Sequence, residues 1–69
     1  SAPTALKLME VMSGVDGDPT VAQMKNLYEI IFNEQDRVKI EKLSLNLKSW
    51  MALIREAINL IVGDQEAGE

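Results

Sequence analysis

Seven apolar positions, Ile40, Leu43, Leu47, Trp50, Ile54, Ala57 and Ile61, follow one another in steps of three and four. A helix completes a turn every 3.6 residues, so this spacing sets all seven on one side of it. Lettered as heptads, Ile40, Leu47, Ile54 and Ile61 take position a, and Leu43, Trp50 and Ala57 take d. Met51, Leu53, Ile58 and Leu60 then widen the face at e and g. A stripe that broad suits a bundle of three or four helices better than a two-stranded seam.

Two shorter apolar patterns come first. Ala5, Leu8, Val11 and Met12 share a face of a helix over about 5–13, capped by Thr4 and stopped at Ser13-Gly14. Residues 14–19 read as a turn. Asp18 there suits an N-cap and Pro19 the first helical position, which opens a helix over about 19–32 with Met24, Leu27, Tyr28 and Ile31 as its stripe.

The joint at 33–36 lacks Gly and Pro. However, Asn33 can cap a new helix, with Asp36 completing an imperfect capping box, and the stripes on either side are out of phase. A break there is preferred to one rod over 19–62, which would be roughly 65 Å long at 1.5 Å per residue. The third helix then runs about 34–62 and ends at Gly63. Leu43, Leu45 and Leu47 alternate as a strand would, but the helical pattern on both sides keeps the segment helical.

The predicted fold is all-α: two or three helices (about 5–13, 19–32 and 34–62) in a helical hairpin or small bundle completed by oligomerisation. One domain spans 1–69, with 64–69 a frayed acidic tail. The first two helices offer too few apolar side chains to cover Leu45, Leu53, Leu60 and Val62 as well as the main stripe. That shortfall predicts a homo-oligomer or another helical protein as partner, held by Leu43, Leu47, Trp50, Met51, Ile54, Ile58 and Ile61.

Composition narrows the alternatives. At 69 residues the chain buries a modest share of its surface, and with neither Cys nor His it has no disulfides and no ordinary zinc or haem ligands. No cofactor is expected. The first residues show neither the basic region nor the apolar core of a secretory leader. The absence of Cys fits a reducing compartment without fixing one, and the expected location is cytoplasmic. The longest apolar runs, Trp50–Ile54 and Ala57–Val62, are too short to cross a bilayer.

Eleven acidic residues against seven basic give a net charge of −4, which disfavours nonspecific binding to nucleic acid. The charge is uneven: residues 37–55 hold five basic side chains and one acidic one. If the joint at 33–36 imitates a helix-turn-helix, Arg37, Lys39, Lys42 and Lys48 are the candidate nucleic-acid contacts of a small regulatory protein. Glu34, Asp36 and Glu41 in the same region oppose that reading.

Catalytic and metal motifs fail on spacing. Asp16-Gly-Asp18 could open a calcium loop only with Gly at 21 and Glu at 27, where Val21 and Leu27 stand. Ser13, Ser44 and Ser49 have no His to activate them, and the four glycines are scattered rather than gathered in a phosphate loop. The reading is a non-enzymatic interaction or oligomerisation module, a helical adaptor related in design to a coiled coil.

Overall fold

A computed structural model describes residues 2–67, with side chains as far as residue 63. Four helices follow in order: α1 (Ala2–Ser13), α2 (Val21–Ile31), α3 (Glu34–Lys42) and α4 (Leu47–Ala67). α1 begins at Ala2, three residues before the predicted start, so Thr4 lies within it rather than capping it, and the joints between the helices each have a local cause. After α1, the amides of Gly14 and Val15 reach back to the carbonyls of Val11 and Met12 at 3.1 and 3.0 Å.

The α2 start lies two residues later than the Asp18-Pro19 pair suggests. Thr20 is the N-cap, and it forms a full capping box. Its hydroxyl accepts from the Gln23 amide at 3.1 Å, and the Gln23 side chain accepts from the Thr20 amide at 2.8 Å. At the next joint Asn33 does cap α3, its side-chain oxygen accepting from the Asp36 amide at 2.8 Å.

The predicted helix over 34–62 is two helices. Its break falls at 43–46, inside the Leu43-Ser44-Leu45-Asn46 alternation. The last turn of α3 tightens, with the Leu43 and Ser44 amides bonded to the carbonyls of Ile40 and Glu41. Ser44 then turns left-handed at φ 50°. Asn46 restarts the helix: its side chain accepts from the Ser49 amide at 2.8 Å and its carbonyl from the Trp50 amide at 2.9 Å. The expected stop at Gly63 is also corrected, since α4 continues through it to Ala67. A Cβ added at Gly63 would meet nothing within 4 Å, so no close packing calls for the glycine. The predicted tail over 64–69 lies outside the described side chains.

These breaks fold the chain back on itself. α1, α2 and α4 pack against one another in all three pairings. Their contact buries Leu8, Met24, Leu27, Tyr28 and Ile54, with Val11, Met12, Ile31, Phe32, Trp50, Met51, Ile58, Ile61 and Val62 packed around them. The longest dimension is 36 Å, which excludes the long rod. The Cα radius of gyration of 12.1 Å is near the roughly 11 Å of a compact chain this long.

The expectation of a bundle completed by oligomerisation is therefore overturned. The four helices form a self-contained bundle, and the stripe once assigned to a partner supplies Ile54 to the chain's own core, where it is fully buried. The error lay in treating residues 40–61 as one rod. With the turn at 43–46, α1 and α2 reach the apolar side of α4 that a straight helix would have left bare.

Candidate functional site

One side of the bundle stays open. Along α2, Val21, Lys25, Tyr28 and Glu29 are spaced by four, three and one, which gives them a common face. On α3 and just after it, Arg37, Ile40, Glu41 and Ser44 do the same. The turn adds Leu45, and the first turn of α4 adds Leu47 and Trp50. These residues enclose a groove of about 660 Å³.

The floor of the groove is aromatic. Tyr28 and Trp50 stand 5.3 Å apart between ring centroids at an interplanar angle of 56°, and Phe32, which does not line the groove, lies 5.6 Å from Tyr28. Tilted ring pairs of this kind set the positive edge of one ring toward the negative face of the other. The Tyr28 ring is buried, while its hydroxyl donates to the Arg37 carbonyl at 3.3 Å. Burial raises the phenol pKa above its ordinary 10.0; the nearby Glu41 carboxylate raises it further, and Arg37 partly offsets both.

The apolar end of the groove is exposed. Val21 and Leu47 each leave 57% of their surface in solvent and Leu45 leaves 38%. The opposite end is polar, with Glu29 on α2 facing Arg37 and Glu41 on α3. Arg37 is already engaged: its guanidinium donates to the carbonyls of Phe32 and, at 3.3 Å, Glu29. It thus satisfies orphan carbonyls at the end of α2 and fastens α3 to it.

The residues expected to form a protein interface fall into three groups. Leu47 and Trp50 line the groove. Met51, Ile58 and Ile61 are half-buried against the core, and Ile54 is fully inside it. Leu43 is 65% exposed on the turn after α3.

The proposed nucleic-acid contacts are also divided. Arg37 points to the α2 carbonyls. Lys39 and Lys42 lie two and five residues further on; at about 100° per residue they occupy the side of α3 turned away from the groove. Lys48 is exposed on α4. Among the described residues no group of three potential ligands could hold a metal ion, and no helix is long and apolar enough to cross a membrane.

Sequence reasoning missed Val21, Tyr28, Ile40 and Leu45 as neighbours in one site. The alternation at 43–47 was the available signal for Leu45. Val21 gave none, because an apolar residue at the first position of a helix looks the same whether it is covered or open. No protein-family model matches the chain, and no curated protein or solved structure is significantly similar to it.

Proposed function

We propose that this domain is a protein-interaction module that receives an amphipathic helix of another protein in the groove between α2, α3 and the start of α4. The observation that carries the reading is the convergence of exposed Val21, Leu45 and Leu47 around the Tyr28–Trp50 floor. Isolated exposed apolar residues are ordinary on a soluble surface, whereas several around a concavity mark a binding site.

A helix laid in such a groove would insert apolar side chains over the aromatic floor. Trp and Tyr are the residue types on which binding energy most often concentrates. Lys25, Glu29 and Glu41 supply charges of both signs along the walls, which would fix the register of the bound helix more than its affinity. A regulatory role on nucleic acid draws less support, since Arg37 is engaged and Lys39 and Lys42 face elsewhere.

Site-specific photo-crosslinking in cells tests the proposal. p-Benzoylphenylalanine is placed at Val21 or Leu47 in the groove, and at Leu60, 65% exposed elsewhere on α4, as a control. Adducts with a different protein should form from the groove positions, disappear when Trp50→Ala is added, and be absent at Leu60. Adducts confined to Leu60, or joining two copies of this chain, overturn the reading.

A further inference from the structure

We infer that α3 is a hinged wall of the groove, able to swing away from a core that α1, α2 and α4 hold without it. The purpose of the motion rests on the groove reading above; the motion itself does not. Three separate observations meet here.

The first is burial. α1, α2 and α4 each place at least one side chain in the buried core, and α3 places none. Of its residues Ile40 packs partly against the core, while Val38 is 43% exposed.

The second is that α3 is stabilised from within. Asn33 caps it, Glu34 and Asp36 stand in its first turn, and Lys39 and Lys42 stand in its last. Those charges oppose the helix dipole at both ends, an arrangement that α1 and α2 lack altogether.

The third is the way α3 is attached. Phe32 and Asn33 are extended at one end, and Ser44 is left-handed at the other, so both ends are breaks in the helical path. Between them the polar ties to α2 all involve Arg37. Its guanidinium donates to the carbonyls of Phe32 and Glu29, and its carbonyl accepts from the Tyr28 hydroxyl. Arg37 is therefore a positioning residue, the latch of the wall. Releasing it would lift Ile40 and Glu41 from the Tyr28–Trp50 floor and widen the groove.

Once displaced, a helix of nine residues is marginal even with good caps, so its amides would exchange with solvent. Native-state hydrogen exchange on the whole chain reads this directly. Amides of residues 37–43 should open on the order of 100-fold more readily than those of the central turns of α2 and α4, in an event nearly insensitive to denaturant. Arg37→Met should accelerate the α3 amides by about a further tenfold and leave the α2 and α4 amides unchanged. In the same variant acrylamide should quench Trp50 fluorescence more strongly.

Uniform protection across all four helices would overturn the inference. So would Arg37→Met acceleration spread equally over α2, α3 and α4, which is the mark of a merely structural arginine. Exchange confined to α3 without groove crosslinks would refute the interaction reading and leave the hinge standing.

Discussion

Leu47 and Ile54 stand seven residues apart on the apolar stripe, and in a coiled-coil seam they would occupy equivalent positions. The bundle makes them unequal. Ile54 has no exposed surface, while Leu47 has 57% of its own in solvent. Truncating a fully buried Ile to Ala removes transfer free energy and leaves a cavity, costing about 2–5 kcal/mol. A chain of this length has roughly 3.5–10 kcal/mol of total stability at 0.05–0.15 kcal/mol per residue. Ile54→Ala therefore removes about half, whereas Leu47→Ala should stay within about 0.5 kcal/mol.

The assay is urea unfolding followed by far-ultraviolet circular dichroism. With a slope of about 1 kcal/mol per molar for so small a protein, Ile54→Ala should lower the midpoint by about 2 M or more, and Leu47→Ala by under about 0.5 M. If Ile54→Ala is unfolded from the outset, Ile54→Val gives a measurable shift of about 1 M, since that change costs about 0.5–1.5 kcal/mol. The wild-type midpoint should not depend on protein concentration, because no second chain is needed to complete the core. Equal losses at the two positions, or a midpoint that rises with concentration, would refute the self-contained bundle.

Further outcomes are expected at three places: the left-handed backbone positions, Tyr28 and the α2 cap. Ser44→Gly should stabilise the fold by about 0.5–1 kcal/mol, since Ser44 holds φ 50°, and Gly17→Ala at φ 75° should cost about 1 kcal/mol despite open space around it; thermal unfolding would show the opposite signs. Tyr28, the single tyrosine, should ionise above its ordinary 10.0 when phenolate absorbance is followed. The folded state holds that proton more tightly than the unfolded chain does. The stability this contributes is whole below pH 10.0 and is lost as pH rises through the raised folded value, and Tyr28→Phe should remove that part of the pH dependence. Thr20→Ala should cost about 1 kcal/mol through loss of the capping box, read as a lower urea midpoint, whereas Asp18→Ala should cost little because Asp18 does not cap α2.

The helical class and the break at Asn33 were legible because each rests on local chemistry: a periodic apolar face, and a side chain able to accept from the amide three residues on. Thr20 and Gln23 were equally local, but Asp18-Pro19 offered a second plausible start two residues earlier, and sequence alone does not rank them. The break at 43–46 was obscured for a different reason. Leu43, Leu47, Trp50 and Ile54 keep a helical spacing straight through the turn, because the four residues of the turn advance the chain by about one helical turn's worth of sequence. Periodicity therefore could not see it. Asn46, poised to accept from Ser49, was the clue, and it is the same chemistry that revealed Asn33.

That hidden turn also explains why the site was only half readable. On a single rod, Leu47 and Trp50 belong to the same surface as Ile54 and Ile61, and all of them await a partner. Turning the chain at Ser44 divides the stripe between two environments. The part beyond Trp50 closes on α1 and α2, while Leu47 and one edge of Trp50 are left facing Val21, Ile40 and Leu45 across the groove. The excess of apolar surface visible in the sequence was real, but most of it is consumed internally. Of what remains, Val21, Leu45 and Leu47 line the groove of which α3 forms one wall, while Leu6, Met9, Val38, Leu43 and Leu60 are exposed outside it. A partner helix entering there would meet apolar side chains that the core does not use, beside the one element that places no side chain in the buried core.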